Sequence, residues 1–533
     1  MRAVRRGDDG PMVDLTRRDV LGVAGLIGLG ALIPGCAAPK EATPSVGATP
    51  TMIGAPPPAP GGSTKPTYAQ LAKQLSGTLS LPGQSGFQPK SLLYNPRFFS
   101  QPQPSAIAHV DNAADVAACV KFAADGGAPL HIRNGGHSYG GWSSGSGLVV
   151  DLAKLSTIKV ASGGKTATIG AGALLADVYS GLGAKGVSIG GGSCATVGVT
   201  GLTLGGGVGV LARAYGLTCD QLASVQVVTA DGRVRTVNAT TDADLFWALR
   251  GGGGSFGAVT ELTFNVRPAP QMQTFFLEWN SVSAATQVLP AWQRWMAGAP
   301  RELWSTCKLL VQPGQGSRVL VAGTWVGSGS PAAQVKALLA QTPRPSQNAS
   351  NSGSYAATML YEAGCAGQSA SACIAKSLSP TYRQPFSATS SILTSPLPSA
   401  GVQAIVHAVG EGAKVKGMIE GGVSFDALGG AVGEVAADAT AFPWRTALAD
   451  LQYTATWPYN MASQNPARFD QFVQSERKAL QPWVGDSAYA NYADPKLTDY
   501  ATAYWGPNLS GLSQVKKSYD PHNVFSFPQS VPL

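Results

Sequence analysis

Two short glycine-rich segments constrain this chain more than any other feature of its sequence. Residues 133–141 read RNGGHSYGG and residues 191–198 read GGSCATVG, which puts His137 and Cys194 57 residues apart, each close to glycine. Because glycine adopts positive φ freely and lets main-chain N–H groups approach a ligand, such turns form concave anion sites suited to a pyrophosphate. The pattern predicts a cradle for a cofactor with a reactive side chain in each segment. Taken singly, His137 would be a turn histidine and Cys194 a buried small apolar residue.

The two segments open a longer ordered series of motifs. After Gly198 come Gly201, residues 205–209 (GGGVG), Arg213, residues 215–217 (YGL) and Asp220. Further along, residues 247–257 read WALRGGGGSFG, residues 489–494 read YANYAD and residues 519–525 read YDPHNVF. In this order the motifs resemble those of the berberine bridge enzyme-like flavoprotein oxidases, a branch of the vanillyl-alcohol oxidase (p-cresol methylhydroxylase, PCMH) superfamily. The resemblance extends from about Pro104 to the C-terminus.

The resemblance implies a covalently bound FAD. In many family members the histidine of an R-x-G-G-H-S segment bonds to the flavin 8α-methyl group, and the cysteine of a G-x-C-x-x-V-G segment bonds to flavin C6. The matching residues are His137 and Cys194. The other residues expected to bind the cofactor are Arg133, Asn134, Gly135, Gly136, Ser138, Gly141, Val197, Gly198, Gly201, Gly205, Gly206, Gly207, Gly209, Gly257, Val259 and Asn491. No metal site is expected, because the chain has no C-x-x-C and its five histidines are scattered.

Flavin chemistry requires a base near the substrate hydroxyl. Oxidising an alcohol sends a hydride to flavin N5 while a base within hydrogen-bond reach removes the hydroxyl proton. By resemblance that base is Tyr492, with Tyr489 as the other candidate. A phenol has a pKa of about 10, so Tyr492 is expected to need a nearby cation or hydrogen-bond donors. Gln452 matches a hydrogen-bonding active-site position of relatives, or is an ordinary strand-edge glutamine.

The resemblance also implies an electron acceptor and a substrate class. In relatives valine at the position of Val197 accompanies oxidases, whereas a bulkier residue accompanies dehydrogenases, so oxygen is the expected acceptor. At two positions this chain differs from its relatives, so their substrates cannot be assigned to it directly. Trp444 stands where relatives often have histidine, and Val208 stands where many have tyrosine. We expect an oxidase acting on a hydroxyl of a saccharide or glycosylated compound and releasing hydrogen peroxide. A dehydrogenase or tailoring oxidase of a secondary metabolite, or an inactive flavin-binding surface lipoprotein, are the alternatives.

The N-terminus predicts export. Residues 16–21 (TRRDVL) lead into an apolar run over residues 20–33 that is too short to span a bilayer, as in a twin-arginine signal. Residues 33–36 (IPGC) approximate a lipoprotein cleavage box, so Cys36 is either acylated as a lipid anchor or lost with the signal. Residues 37–66 are rich in Pro, Ala, Gly, Ser and Thr and predict a disordered tether. The protein is expected in the cell envelope or outside the cell.

The chain after the tether is long enough for two lobes. The predicted fold is α+β: a two-lobed PCMH-type FAD-binding fold with a substrate lobe built on an antiparallel sheet flanked by helices. Boundaries are expected at residues 1–36 (signal), 37–66 (tether), 67–268 (FAD-binding domain), 269–485 (substrate-binding domain) and 486–533 (C-terminal segment returning to the FAD lobe). Local patterns predict a helix over 115–125, strands over 129–132, 148–152, 166–170, 275–279, 319–325 and 418–425, and a hairpin around residues 230–233 (ADGR).

Charge and cysteines limit the partners. The net charge of +8 includes five arginines within the first 18 residues, and no run of Lys or Arg follows, so nucleic acid is not expected as a partner. The expected partners are an alcohol or saccharide substrate and O₂, with a monomeric chain and a membrane contact only through Cys36. Cys365 and Cys373 are the best disulfide candidates, whereas Cys119, Cys219 and Cys307 are more consistent with buried thiols.

Overall fold

Sheets of eight, five, four and two strands carry the architecture in the computed structural model, which describes residues 13–14 and 65–533. The five-, four- and two-stranded sheets come from residues 78–268, and the long strands of the eight-stranded sheet come from residues 271–456. We call these groups the first lobe and the second lobe. The predicted signal apart from residues 13–14, the lipid-anchor site and nearly all of the tether lie outside the described residues.

The first lobe combines a mixed sheet with an antiparallel one. In the four-stranded sheet Leu148–Asp151 runs parallel to Ala106–His109 and Leu130–Arg133, and Thr78–Ser80 is antiparallel at the edge. The antiparallel sheet has the order Val234–Asn238, Leu222–Val228, Ala258–Asn265, Thr166–Gly170, Ile158–Val160, and the two-stranded sheet pairs Val187–Ser188 with Arg267–Pro268. The helices are Tyr68–Ala72, Ala113–Ala124, Leu175–Gly183, Val199–Leu204, Ala212–Tyr215 and Ala243–Ala248.

Local chemistry explains where the first-lobe helix Ala113–Ala124 begins and which face it buries. The side chain of Asn112 accepts from the backbone N–H of Asp115, which satisfies one of the N–H groups left unpaired at a helix start. Val116, Cys119 and Val120 recur at helical spacing and are fully buried. The helix therefore packs its apolar stripe against the sheets of the first lobe.

The second lobe is one eight-stranded sheet with most of its helices on the face away from the cavity, whereas Tyr355–Glu362 and Ala370–Leu378 pack against the first-lobe helix Leu175–Gly183. Its strand order is Val13–Asp14, Gln347–Ser354, Gln271–Trp279, Gly316–Val326, Leu303–Gln312, Glu420–Ala427, Ala449–Thr456, Phe386–Leu393. All pairs are antiparallel except the first, which is parallel. The helices of this lobe are Ala285–Ala297, Ala332–Leu339, Tyr355–Glu362, Ala370–Leu378, Ser399–Glu411 and Ala467–Val484.

Alternation along the strands divides the second-lobe sheet into two chemically different faces. On Leu303–Gln312 the side chains of Cys307, Leu309 and Val311 belong to the core shared with the helices. The residues between them, Lys308 and Leu310, point to the opposite face, because successive side chains of a strand alternate. That second face looks toward the first lobe and carries the polar side chains described below.

The C-terminal segment returns to the first lobe. The helices Tyr500–Trp505 and Leu509–Tyr519 contribute Trp505 and Leu512 to the first-lobe core. The fully buried ammonium of Lys516 donates to the carbonyl of Ser255 at 2.8 Å and to the carboxylate of Asp520 at 2.6 Å. Residues far apart in sequence thus complete one core.

The predicted fold class is confirmed, and several local predictions are close to the observed elements. The helix expected over 115–125 spans Ala113–Ala124, the strand over 166–170 is Thr166–Gly170, and the strand over 418–425 lies two residues later, at Glu420–Ala427. Gly232 takes φ +76° in the turn between Leu222–Val228 and Val234–Asn238, as the Asp-Gly signal predicts. The disulfide between Cys365 and Cys373 is confirmed, and Cys119, Cys219 and Cys307 are buried thiols. Among the described helices none is long and apolar enough to cross a membrane.

Candidate active site

A cavity of about 540 Å³ lies between the two lobes. Its first-lobe wall is made of the two glycine-rich segments, together with residues 252–254. Its second-lobe wall is the polar face of the eight-stranded sheet, and the turn Ala490–Tyr492 closes one end. The cavity is therefore lined by main-chain groups of glycine-rich turns on the first-lobe side and by polar side chains on the second-lobe side.

The first glycine segment offers unpaired main-chain donors. It begins where the strand Leu130–Arg133 ends, and Gly136 takes φ +72° with its Cα hydrogens against the carbonyl oxygen of Leu92, where a Cβ would lie only 2.0 Å away. Among the described residues, no protein acceptor takes the backbone N–H groups of residues 135–140. Since buried N–H groups are nearly always paired, this row of donors fits an anionic ligand.

His137 lies within this segment and is held on two sides. Its ring stacks on Tyr94 with a centroid distance of 3.8 Å, and its Nε2 lies 2.9 Å from Thr196 Oγ1. Burial, together with the guanidinium groups of Arg383 and Arg133, lowers the pKa of His137 to about 3. The imidazole is therefore neutral at physiological pH, as a nitrogen nucleophile must be.

Cys194 lies across from this ring in the second segment. Its side chain is open to the cavity, unlike those of Cys119, Cys219 and Cys307. Burial raises the pKa of the thiol, an effect that the ammonium of Lys308 opposes. The contact between His137 and Thr196, two residues after Cys194, brings the two reactive side chains to the same cavity wall.

The residues present fit FAD. Both polar atoms of the Asn134 side chain, which lines the cavity, are buried without a partner among the described residues. A Cβ placed on Gly201, Gly253 or Gly254 would meet no protein atom within 4 Å, so these glycines border open space along the cavity. Unsatisfied donors beside a glycine-lined channel suit a dinucleotide with a pyrophosphate.

Most of the predicted cofactor residues line the cavity, and four do not. The lining residues are Asn134, Gly135, Gly136, His137, Ser138, Cys194, Val197, Gly198, Gly201, Gly205, Gly209, Gly257, Val259 and Asn491. The residues behind the wall are Arg133, Gly141, Gly206 and Gly207. They support it instead: Arg133 pairs with Asp151 at 2.7 Å, and Gly206 and Gly207 take φ +118° and +92° where the chain folds against Phe442 and Thr218.

Tyr492 lies at the end of the cavity between two other tyrosines. Its ring stacks on Tyr139 at 5.4 Å and meets Tyr489 edge-on at 5.1 Å. Burial and then the carboxyls of Asp426 and Asp450 raise its pKa well above the usual value. The charged groups that dominate beside this phenol are carboxyls, which act against the lowered pKa that a phenolate base needs, so the cation or hydrogen-bond donors expected beside Tyr492 stay a prediction.

Tyr489 has a different environment. Its hydroxyl accepts hydrogen bonds from the backbone N–H groups of Gly207 at 2.9 Å and Val208 at 3.1 Å, and from the amide of Asn491 at 2.8 Å. Its side chain is 2% exposed. With three donors directed at one oxygen, this hydroxyl anchors the glycine turn to the C-terminal segment.

Gln452 faces the cavity from the second-lobe sheet. Its strand, Ala449–Thr456, lies between Glu420–Ala427 and Phe386–Leu393, so this glutamine is not on a sheet edge. Its Nε2 donates to the hydroxyl of Tyr139 at 2.5 Å. Tyr139 thus contacts Gln452 through its hydroxyl and Tyr492 through its ring.

Sequence reasoning missed several side chains of this site. Tyr139 lies two residues after His137, inside the motif itself. Tyr94 comes from a separate segment, and its backbone N–H donates to the carbonyl of Gly136 at 2.8 Å. On the polar wall the missed residues are Thr306, Lys308, Glu362, Glu420, Ser424, Asp426 and Thr454. Alternation of apolar and polar residues along the strands was the available signal for all of them except Glu362, which lies on the helix Tyr355–Glu362.

Comparison with known proteins agrees with this geometry. A family model described as FAD binding domain matches residues 104–238, and one described as Berberine and berberine like matches residues 488–532. An uncharacterized FAD-linked oxidoreductase of Bacillus subtilis, YgaK, is 34% identical over 438 residues, covering 80% of this chain and 91% of the relative. Glucooligosaccharide oxidase of Sarocladium strictum is 32% identical over 455 residues, covering 80% and 87%.

Solved structures give the same result. BBE-like 1 of Physcomitrella patens has a TM-score of 0.78 and 30% identity, covering 87% of this chain and 99% of the other. The fold and the cavity thus define an FAD-dependent oxidoreductase with a PCMH-type cofactor lobe. Within that class, the chain belongs to the berberine bridge enzyme-like family of FAD-linked oxidoreductases.

Proposed function

We propose that the protein is an oxidase that converts a hydroxyl group of a saccharide or glycosylated compound to a carbonyl, with O₂ as the electron acceptor and hydrogen peroxide as the second product. The observation that carries this proposal is the position of Tyr492, at the junction of the glycine cradle and a wall of polar side chains. Support comes from relatives named glucooligosaccharide oxidase and chitooligosaccharide oxidase, each 32% identical to this chain.

We also propose that FAD is attached through both His137 and Cys194. The neutral imidazole and the cavity-facing thiol support two bonds from opposite segments of one wall. The solved glucooligosaccharide oxidase of Acremonium strictum, 28% identical with a TM-score of 0.76, is described as revealing a novel flavinylation. The proposal assigns to His137 and Cys194 of this chain the two flavin bonds that the sequence resemblance implies.

In the reaction, bound FAD supplies the hydride acceptor. Tyr492 takes the hydroxyl proton of the substrate. Its own phenolic proton passes to the neighbouring carboxyls, because a free phenolate beside Asp426 and Asp450 is disfavoured. Gln452 and Tyr139 hold the ring of Tyr492 in place through the hydrogen bond and the stack already described. A positioned base of this kind contributes about 10²–10⁴-fold to the rate.

The polar wall suits a hydroxyl-rich substrate. Lys308, Ser424 and Gln452 occupy consecutive register positions across three strands and form a row of donors and acceptors on the cavity face. Glu362 adds a carboxyl whose pKa burial raises to about 7. Saccharide hydroxyls can pair with such groups, whereas an apolar substrate would leave them desolvated and unpaired.

We also propose where the enzyme acts and how its chain is organised. The proposal includes export by the twin-arginine route, a Cys36 that is either acylated or lost with the signal, a monomeric state, and domain boundaries at residues 268 and 485, all inferred from the sequence patterns described above. The twin-arginine route carries folded proteins, which suits an enzyme that acquires FAD before leaving the cytosol.

The test is an anaerobic screen of purified protein with oligosaccharides, monosaccharides and simple alcohols, following bleaching of the flavin spectrum. Bleaching by saccharides, followed by peroxide on admission of air, is the expected result. Bleaching without reoxidation by air would identify a dehydrogenase. A yellow protein that no compound in the screen bleaches would favour a flavin-binding role without catalysis.

A further inference from the structure

His137 is contacted by a piece of chain that lies outside the glycine-rich segments. This piece, residues 89–98, contains two short 3₁₀ turns, and we call it the strap. The backbone N–H of Tyr94 donates to the carbonyl of Gly136 at 2.8 Å, and the carbonyl oxygen of Leu92 lies against the Cα of Gly136, where a Cβ would be only 2.0 Å away. The strap therefore lies in direct main-chain contact with the residue before His137.

Tyr94 is the strap residue whose side chain contacts His137. The phenol and the imidazole are stacked, with ring centroids 3.8 Å apart and an angle of 15° between the ring planes. This separation is ordinary van der Waals contact, so the phenol covers one face of the imidazole. Both side chains line the cavity. The imidazole cannot tilt toward Tyr94 without moving the strap as well.

One edge of the imidazole is held in addition. Nε2 of His137 lies 2.9 Å from Oγ1 of Thr196, a residue that is 3% exposed. Nδ1 makes no hydrogen bond within the described range 65–533, so it remains available to a ligand in the cavity. A bond from Nδ1 uses its lone pair, which places the ring proton on Nε2, where Thr196 accepts it. The stack thus fixes the plane of the ring, and Thr196 fixes its rotation in that plane.

An arginine of the second lobe holds the strap. Nε of Arg383 donates to the carbonyl of Tyr94 at 2.8 Å. A terminal nitrogen of the same guanidinium donates to the carbonyls of Lys90, at 3.1 Å, and Leu93. Hydrogen bonds from a charged donor are about twice as strong as neutral ones, and among the described residues no carboxylate is paired with Arg383. The position of Tyr94 therefore depends on the second lobe.

The same guanidinium acts on the charge of His137. Burial, and after it the positive charge of Arg383, lowers the pKa of the imidazole to about 3. A protonated imidazole has no lone pair free to form a bond. Arg383 therefore favours both the reactive form of the ring and its position.

We propose that Tyr94, held in place by Arg383, is a positioning residue for the covalent attachment of FAD to His137. This inference rests on the attachment proposed above. In that reaction a bond forms between an imidazole nitrogen and the 8α-methyl carbon of the flavin, while the imidazole N–H bond and one methyl C–H bond break. The two protons and two electrons that are released reduce O₂, the acceptor of the proposed oxidase, to hydrogen peroxide. The stack acts by holding the imidazole in the orientation from which the bond forms.

The test is made in a Cys194→Ala background, where His137 is the only proposed attachment residue left. The background protein is compared with the same protein carrying Tyr94→Leu, Tyr94→Phe or Phe98→Leu. Phe98→Leu is the matched control, because it changes another aromatic ring of the strap in the same way, and Phe98 lies against Gly141 outside the cavity lining. Each purified protein is incubated with FAD and sampled over time. Flavin that stays with acid-precipitated protein gives the covalent fraction, and gel filtration of native protein gives the total bound flavin.

Tyr94→Leu should attach FAD about two- to ten-fold more slowly, the effect expected from losing one aromatic pair, and should bind the same total amount of flavin. Tyr94→Phe retains the stack and should attach FAD at the background rate, as should Phe98→Leu. Attachment at the background rate in Tyr94→Leu would overturn the proposal. Equal losses of total and covalent flavin would overturn it too, because they indicate a general effect on cofactor binding.

Arg383→Gln covers the case in which Tyr94→Leu does not fold. It leaves Tyr94 intact and removes the charged donor from the strap carbonyls, so slower attachment at unchanged total flavin is again expected, and the background rate would overturn the proposal. Failure of the attachment itself gives a different result. A background protein whose flavin is fully released by acid would remove the bond to His137, whereas acid-stable flavin there, combined with normal attachment in both variants, removes only the role of Tyr94.

Discussion

The side-chain amide of Gln452 donates a 2.5 Å hydrogen bond to the hydroxyl of Tyr139. The glutamine belongs to the second-lobe sheet and the tyrosine to the glycine segment of the first lobe, so this bond crosses the cavity between the lobes. Because Tyr139 also stacks on Tyr492, the bond ties the position of the proposed base to both walls of the site.

Tyr139→Phe and Gln452→Leu should each slow anaerobic flavin reduction about five-fold, the equivalent of about 1 kcal/mol for one hydrogen bond. The double variant should be no slower than either single one, because both remove the same bond. Flavin content should stay normal in all three. Stopped-flow rates of the unmodified protein, the two single variants and the double variant provide the double-mutant cycle. Losses that add up in the double variant would contradict a role shared through one hydrogen bond.

His137→Ala and Cys194→Ala should each keep a covalently bound flavin through the other residue. The double replacement should release FAD on acid denaturation. Peptide mass analysis locates the attachment in each case. Flavin on His137 alone in the unmodified protein would leave Cys194 as a thiol without a bond, and flavin fully released from unmodified protein would contradict both attachments.

Tyr492→Phe should lower the rate of flavin reduction by about 10²–10⁴-fold, because one hydroxyl is lost at nearly constant volume. Reoxidation by air should be unaffected. Tyr489→Phe is a contrasting variant, since it leaves the N–H groups of Gly207 and Val208 without their acceptor. It should lower the melting temperature and flavin retention, because each unsatisfied buried donor costs about 1–3 kcal/mol.

Val197→Leu should slow reoxidation of the reduced flavin while leaving anaerobic reduction largely intact. Val197 lines the cavity beside Gly198, and one added methylene fills space through which oxygen approaches in a tightly packed site. Mixing reduced protein with aerated buffer gives the rate. Equal reoxidation rates in variant and unmodified protein would show that oxygen arrives by another route.

Glu476→Gln should stabilise the protein at pH 8 more than at pH 5. Burial raises the pKa of this carboxyl well above its usual value. The unfolded chain ionises it at about pH 4.3, so stability falls as pH rises from there toward the higher folded pKa. Each kcal/mol regained corresponds to about 2–4 °C in Tm for a domain of about 150–250 residues and to less for a larger unit. A gain that is equal at both pH values would contradict the buried, protonated state.

The parts of the site that sequence could predict are those carried by local motifs. His137 and Cys194 stand out because glycine surrounds them, and the positive φ that glycine permits is a local property of the chain. The position of Asp426 beside Asp450 depends on the register of two strands joined by a long connection, and the stack of Tyr94 on His137 depends on packing between separate segments. Neither contact follows from sequence spacing. The same reason explains Arg133, whose place in the motif suggested cofactor contact but whose side chain pairs with Asp151 behind the wall.

The return of the C-terminal segment to the first lobe determines the order in which the chain can fold. Trp505, Leu512 and Phe525 complete a core most of whose members lie before residue 265, and Lys516 fills a buried position beneath Ser255. During synthesis the cofactor lobe therefore waits, with part of its core exposed, until the whole second lobe has emerged from the ribosome. The cavity between the lobes gains its final shape only after that, so FAD meets a finished site at the end of translation and not partway through it.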